Sequence, residues 1–232
     1  MLMSYVQLLD AIDAGVITHV HLDQVNSASI DVRLGDEILV EMPNNEDFPD
    51  LYEISLAKRE PLHTRVHKFS KDGPFKLFPG ECILAHTVEL FNLPNTISAM
   101  FKLKSSCGRI FLEHMNAGWC DAGWHGSALT MELKNNTRCH VIVLNGGERI
   151  GQIVFFQHAT VPEDKSYAVR GHYNKDKGVS GAKPTIIFGE EAEDIAQEVF
   201  DTLHPVPAVV EIEVETGKRT FRVDEENDDA NR

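Results

Sequence analysis

The chain has 232 residues and lacks several features that mark common classes of protein. No apolar run approaches the roughly 20 residues of a membrane-spanning helix, and the first residues lack the basic-then-apolar layout of a secretion signal. The 4 cysteines form no C-x-x-C pair, and the 11 histidines form no H-E-x-x-H motif. These absences argue against a membrane protein, a zinc site and a redox dithiol. We therefore expect a cytoplasmic protein with reduced thiols and no zinc.

Basic side chains are scarce, with 22 Lys and Arg against 36 Asp and Glu and a formal net charge of -14. A protein that binds nucleic acid along its backbone needs a basic surface, so this balance argues against a nucleic-acid partner. It leaves open a small phosphorylated ligand held by a few local cations. The apolar fraction of 42% is ordinary for a soluble globular protein.

Short apolar stretches separated by Gly, Pro and Asn predict an all-β protein after one N-terminal helix at residues 4–14. Gly35 is expected to form a turn between two strands, and residues 43–61 are expected to form a loop or long hairpin. This spacing is typical of a β-sandwich or barrel. The predicted strands cover residues 30–34, 37–42, 82–91, 97–103, 127–133, 139–144 and 148–156.

The chain changes character after Pro184. Residues 190–203 have helical spacing, and two apolar stretches around Gly217 predict a hairpin before an acidic, disordered end. We therefore expect a β-barrel domain over residues 1–184, followed by a C-terminal extension over residues 185–232.

Polar residues concentrate between hydrophobic runs in one stretch, from Lys104 to Glu132. Its first part, Lys104-Ser105-Ser106 with Arg109, has the hydroxyls, backbone N–H groups and charge that can hold a phosphate. Such a turn is also common on protein surfaces, so this pattern alone leaves both interpretations open.

Glu132 lies inside a strand-like run with apolar neighbours. A carboxylate that faces a core has a raised pKa and can act as a general acid or base. Strand alternation places Thr130 and Glu132 opposite Leu129, Met131 and Leu133, which favours solvent, a lumen or a polar interface.

Asp121 lies among glycines and two tryptophans in residues 117–126. Glycine lets the backbone approach a ligand closely, and an aromatic ring can lie against a sugar or a base. A tight turn in which Asp121 caps backbone N–H groups is the alternative interpretation.

Together these segments resemble the dCTP deaminase branch of the trimeric dUTPase/dCTP deaminase superfamily. The resemblance implies a distorted all-β barrel and a homotrimer with active sites between subunits. It covers residues 4–184 and depends on five motifs in the family's order: SASIDVRLG (27–35), FPGECILAHTVE (78–89), KSSCGR (104–109), AGWCDAGWHG (117–126) and GGERIGQIVF (146–155).

The resemblance also implies the roles of individual residues. Glu132 would activate water for attack on cytosine C4, while Ser105 and Arg109 would position that water and polarise the ring. Mg²⁺ bound through the phosphates would neutralise the triphosphate, with no metal ligand from the protein. The other expected contacts are Ala117 to the base, Asp121 to the deoxyribose 3′-hydroxyl, Trp124 beside the sugar or base, Lys104, Ser106 and Gln152 to the triphosphate, and Tyr167, Lys177 and Ser180 from a lid.

Several residues depart from the family pattern. The spacing from Asp121 to Glu132 is one residue longer than the family's, so a β-bulge is needed to bring Glu132 into place. Asp176 occupies a lid position where the family pattern leads us to expect an amide. Cys120 replaces the usual Ile, and Asn145 replaces the usual Pro.

The leading functional prediction is hydrolytic deamination of dCTP to dUTP and ammonia, in deoxypyrimidine nucleotide metabolism. The chemistry at the base would need no metal, because the H-x-E and P-C-x-x-C signature of zinc-dependent deaminases does not occur in the sequence. One alternative is a dUTPase, or a bifunctional enzyme that produces dUMP. A further alternative is a nucleotide-sensing protein without turnover. The resemblance also suggests dTTP as an inhibitor.

Overall fold

The computed structural model describes residues 1–43, 54–56 and 58–184. Helix α1 (Tyr5–Asp13) lies within the predicted range and buries Leu8 and Ala11. The backbone N–H of Ser4 donates to Gln7 Oε1 at 3.0 Å, which closes the first turn. The later helices are short: α2 (Phe69–Asp72), α3 (Ser105–Arg109) and α4 (Tyr167–Arg170), with 3-10 turns at Leu22–Gln24 and Glu163–Lys165.

Strands dominate the described part of the chain, as predicted. Nine of them form one antiparallel sheet, in the order β7-β9-β5-β2-β11-β6-β8, with β1 added beside β5 and β3 beside β2; β4 and β10 pair separately. The sheet curls into a half-barrel. The strands are β1 (Ile17–Thr18), β2 (Ile30–Glu41), β3 (Thr64–Lys68), β4 (Phe75–Leu77), β5 (Cys82–Asn92), β6 (Ile97–Leu103), β7 (Leu112–His114), β8 (Trp119–Cys120), β9 (His125–Asn135), β10 (Ile142–Leu144) and β11 (Arg149–Gln157).

The core lies against one face of this sheet, where alternate residues of the central strands are buried. Each buried Leu, Ile or Phe side chain stabilises the fold by about 1.5–3 kcal/mol relative to an exposed one. The largest fully buried side chains of the central strands are Ile30, Leu34, Ile38, Phe91, Met131, Leu133, Ile153 and Phe155.

The predicted turn at Gly35 is wrong, because β2 continues through it to Glu41. A Cβ at Gly35 would lie 2.2 Å from Cε1 of the His86 ring on β5. Glycine is therefore required for a close approach between strands, and the pairing of β2 with β5 shifts register just beyond it.

The predicted bulge before Glu132 is present in β9. Ser127 and His125 pair with consecutive residues of β5, so Gly126 between them has no partner. Gly126 has a φ of 66°, a left-handed conformation that glycine adopts without steric cost. The bulge absorbs one residue between Asp121 and Glu132.

The predicted C-terminal extension, with its helix and hairpin, lies outside the described residues, as do residues 44–53 and 57 of the predicted loop. The domain boundary at residue 184 therefore stays a prediction. No helix in the described ranges has the length and apolar character to cross a membrane.

Candidate active site

Glu132 faces a cavity of about 770 Å³ that lies beside β9. Its neighbours in sequence, Met131 and Leu133, are fully buried on the opposite face, as the alternation predicts. Its side chain is 27% exposed. On β5 the residue paired with it is Leu84, which lines the same cavity. The carboxylate is therefore held in a partly apolar, half-enclosed space.

His114 lies against this carboxylate, and its importance is not evident from the sequence. Its Nε2 atom is 3.4 Å from Glu132 Oε2, longer than a good N–H···O hydrogen bond. Both atoms are buried, and neither has a hydrogen-bond partner within the described residues. The backbone N–H of Asn116 donates to Nδ1 at 3.2 Å, so the neutral ring carries its proton on Nε2, directed toward Glu132. The pairing of β7 with β9 creates this contact.

The cavity brings together five of the predicted site residues. Ala117, next to β8, is part of the lining, and so are Tyr173, Asp176 and residues 180–183 of the lid. The lid comprises residues 172–183, which pack along β9. The predicted site residues in the lining are Ala117, Trp124, Glu132, Tyr167 and Ser180.

Backbone hydrogen bonds fasten the lid to β9. The N–H of Ala128 donates to the Asp176 carbonyl at 2.7 Å, and the N–H of Ser180 donates to Thr130 Oγ1 at 3.3 Å. Trp124 contributes a third bond, from its indole N–H to the Tyr173 carbonyl at 2.8 Å. These hydrogen bonds hold residues 172–183 against β9, beside the cavity of their own chain.

The side chains of the lid add an ion pair inside the cavity lining. Lys183 Nζ lies 2.6 Å from Asp176 Oδ2, and both side chains are partly exposed. Lys183 also lies over the Tyr173 ring, 5.0 Å from its centroid. The acid that replaces the expected amide is thus neutralised within the lid. Lys177, predicted to contact substrate, is exposed outside the lining.

Burial keeps two side chains near the cavity in their neutral forms. Burial, with a smaller contribution from Asp121, raises the pKa of Cys120 to about 12, so this residue fills the usual Ile position as an apolar thiol. Burial also raises the pKa of Tyr167, whose hydroxyl accepts a hydrogen bond from the Tyr173 N–H at 3.4 Å. Trp124 is buried, stacks on Phe91 with ring centroids 5.3 Å apart and donates its indole N–H to the lid, so it links the core to the lid.

The predicted phosphate-binding residues lie elsewhere, around Asp31 on β2. Lys104 Nζ contacts Asp31 Oδ2 at 2.7 Å, and Gln152 Nε2 lies 3.4 Å from Oδ1. Arg149 lies 3.4 Å from Oδ2. Burial acts to raise the pKa of Asp31, but hydrogen bonds from Lys104, Asn26 and Gln152 outweigh it and lower this pKa. Two cations thus share one buried carboxylate, which the sequence analysis did not identify.

Helix α3 carries the remaining predicted residues of this group. Ser105, Ser106 and Arg109 are exposed on it and do not line the cavity. Asp121 is also exposed, and its Oδ1 accepts a hydrogen bond from the Trp119 indole at 2.8 Å. One chain therefore presents two clusters of predicted site residues. One lines the cavity around Glu132, and the other, predicted to bind phosphate, lies around Asp31 and α3.

Two curated relatives from bacteria are similar to most of this chain, and both are named "dCTP deaminase, dUMP-forming". The protein of Thermobifida fusca is 36% identical over 188 residues, covering 80% of this chain and 92% of the relative. The protein of Persephonella marina is 33% identical over 162 residues, covering 69% and 83%. These names contradict the prediction that dUTP is the product, and they favour the alternative in which dUMP forms.

A solved structure supports the predicted fold. The crystal structure of the 2′-deoxycytidine 5′-triphosphate deaminase from Agrobacterium tumefaciens has a TM-score of 0.50 and 23% identity to this chain. The match covers 66% of this chain and 48% of that one. At this identity the likeness concerns the fold alone.

A family model described as dCTP deaminase-like matches residues 2–158. This range includes Glu132, the bulge at Gly126 and the residues around Asp31 and α3. This range holds all five motifs of the resemblance. The chain therefore belongs to the dCTP deaminase-like family, as its motifs predict.

Proposed function

We propose that this protein is a bifunctional hydrolase that converts dCTP to dUMP. In this reaction, dCTP and two water molecules give dUMP, ammonia and pyrophosphate. The names of the relatives support this product. The observation that carries the proposal is Glu132, a carboxylate in a half-enclosed cavity with one buried oxygen that has no hydrogen-bond partner among the described residues.

Glu132 is proposed to act as the general base and acid of the deamination step. It takes a proton from a water molecule whose oxygen attacks cytosine C4 and passes this proton to N3 of the ring, and it then moves the remaining proton of the new C4 hydroxyl to the departing amine. The C4–N4 bond then breaks, ammonia leaves and a C4 carbonyl forms. The partial exposure of the side chain supports this role, because part of Glu132 is open to the cavity while Oε2 is buried beside His114. His114 Nε2, at 3.4 Å, helps to hold the carboxylate in place.

The residues around Asp31 and α3 are proposed to bind the triphosphate of a nucleotide whose base lies in the cavity of a neighbouring copy. Ser105 and Arg109 do not line the cavity of their own chain, which supports a site shared between subunits. Lys104 and Arg149 both contact Asp31, and Arg149 also pairs with Asp23, so two cations are gathered at a place where a polyanion could bind them. A symmetric homotrimer would complete three such sites.

Cleavage of the triphosphate is the second proposed step. A water molecule attacks the α-phosphorus, the bond to the bridging oxygen breaks and pyrophosphate leaves. Asp121, exposed near the cavity, is proposed to bind the deoxyribose 3′-hydroxyl and thereby to fix the position of the α-phosphate.

Mg²⁺ is proposed to arrive with the nucleotide. The described residues contain no cluster of three or more His, Cys, Asp or Glu side chains that could hold a metal. The buried carboxylate of Asp31 already accepts contacts from two cations and two amides. These residues fit an ion held through phosphate oxygens, which would neutralise phosphate charge when bound.

Product analysis tests the proposal. The protein is incubated with Mg²⁺ and either dCTP or dUTP, and the nucleotide products are separated. We expect dUMP from both substrates, with ammonia from dCTP only. If dCTP yields only dUTP, the triphosphate cleavage is refuted, and if neither nucleotide reacts, the proposed function as a whole is refuted.

Mixed trimers test the shared site. Two differently tagged copies, E132Q and R109A, are coexpressed, and trimers that contain both tags are purified. Each mixed trimer would contain one site with both residues intact, so we expect about a third of the wild-type activity. The control pairs E132Q with the double variant E132Q/R109A, which leaves no intact site. Inactive mixed trimers would show that Glu132 and Arg109 do not act across subunits.

A further inference from the structure

Trp119 holds the carboxylate of Asp121 in one orientation at the edge of the cavity. The indole Nε1–H donates to Asp121 Oδ1 at 2.8 Å. This is the length of a charge-assisted hydrogen bond, and it is the one hydrogen bond of that carboxylate among the described residues. Trp119 lines the cavity together with Glu132 and Ala117. One oxygen of Asp121 is thus occupied, and Oδ2 remains available.

The Trp119 ring is itself fixed, although it is 53% exposed. Its strand, β8, pairs with β6 through Trp119 and Met100. The indole also stacks on Phe156 of β11, with ring centroids 6.1 Å apart and planes inclined by 29°. The backbone and the ring contact together set the direction of the N–H. An exposed carboxylate without such a donor would rotate freely in solvent.

We infer that Trp119 is a positioning residue that sets specificity for nucleotides with a 3′-hydroxyl. By occupying Oδ1 it directs Oδ2 of Asp121 toward the deoxyribose. This inference depends on the proposed function, in which Asp121 accepts the hydrogen bond of the 3′-hydroxyl. Trp119 does not touch the reacting atoms, so it acts through the orientation of Asp121.

The test compares two substrates that differ only at the 3′ position. Initial rates are measured with dCTP and with 2′,3′-dideoxycytidine triphosphate, for wild type and W119F. Phenylalanine keeps a ring that can pack on Phe156 but removes the N–H donor. A hydrogen bond to a charged group supports an expected loss of about tenfold in kcat/KM for dCTP, mainly through KM. For the dideoxy substrate the expected loss is less than about twofold, because it lacks the hydroxyl that Asp121 would hold.

Trp124 provides a matched control, because it is the other tryptophan of the chain and also donates its indole N–H at 2.8 Å, to the Tyr173 carbonyl of the lid. W124F should therefore change the two substrates by the same factor. Thermal unfolding and molecular mass are recorded for every variant. Both substrates are measured on the same preparation, so a difference in the folded fraction between variants does not change the ratio of the two rates. Equal losses with both substrates in W119F would overturn the positioning role.

The outcomes separate this inference from the proposed function. If wild type releases no ammonia from dCTP, the proposed function fails. If wild type turns over dCTP but does not discriminate against the dideoxy substrate, the contact between Asp121 and the 3′-hydroxyl fails, and the inference fails with it. If wild type discriminates and W119F retains that discrimination, only the role of Trp119 is refuted.

Discussion

Replacement of Glu132 by glutamine tests the base of the deamination step. Glutamine has nearly the same volume, so the cavity and β9 should keep their shape, while the carboxylate that accepts the proton is lost. Loss of a general base usually lowers a rate by about 10²–10⁴-fold, which corresponds to ~2.7–5.4 kcal/mol in the activation free energy.

The structure favours the upper half of that range. Within the described lining of the cavity, the other carboxylate is Asp176, and Lys183 already neutralises it at 2.6 Å. Asp176 is therefore a poor substitute base, and we expect E132Q to lose at least about a thousandfold in kcat for ammonia release.

A coupled assay for ammonia, with dCTP and Mg²⁺, measures this loss directly. The matched control is E113Q, which makes the same change on the neighbouring strand β7 at an exposed residue outside the cavity lining. E113Q should retain the wild-type rate. If E132Q releases ammonia at a rate within a few-fold of wild type, Glu132 is not the base and the mechanism is refuted.

Three further substitutions test other parts of the molecule. D31N should lower the free energy of unfolding by about 1–3 kcal/mol at pH 7, measured by urea titration. Because the folded-state pKa of Asp31 is lowered from 3.8, the difference in this free energy between wild type and D31N should be fully present above about pH 4 and should vanish as the pH falls through the folded-state pKa. G123A should destabilise the protein by several kcal/mol in the same assay, because the φ of Gly123 is +89° and a Cβ there would lie 2.0 Å from Ser166 Oγ; an unchanged midpoint would contradict this packing. D176N should lower the KM for dCTP several-fold, because Lys183 would lose the acid that neutralises it and the cavity that holds the base of a negatively charged nucleotide would gain positive charge; a raised KM would show that the ion pair itself is needed.

Local patterns in the sequence predicted much of the cavity. The alternation around Glu132 correctly separates its face from that of Met131 and Leu133, because one buried face imposes a period of two on a strand. The spacing from Asp121 to Glu132, one residue longer than the family's, predicted a bulge, and Gly126 provides the backbone conformation that a bulge requires. The alternation follows from consecutive residues alone, whereas the bulge follows from the resemblance to the family.

Features that depend on pairing between distant segments could not be predicted in the same way. His114 reaches Glu132 only because β7 pairs with β9, and Asp31 meets Lys104 and Gln152 only because β2, β6 and β11 are neighbours. The turn expected at Gly35 was wrong for the same reason, since the His86 ring that excludes a side chain there belongs to another strand.

The product in the names of the relatives was also beyond the local patterns. The motifs predict the family, but the proposed cleavage of the triphosphate would depend on how a water molecule is placed at the α-phosphorus. No single residue type in the motifs determines that placement. The predicted product was therefore wrong although the predicted family was confirmed.

The most direct test of the central claim is the stoichiometry of a single reaction with labelled dCTP. Ammonia, pyrophosphate and labelled nucleotides are measured in the same samples over time. The account predicts that ammonia, pyrophosphate and dUMP appear in equal amounts and that E132Q forms none of them from dCTP. Accumulation of labelled dUTP with ammonia and without pyrophosphate would contradict it.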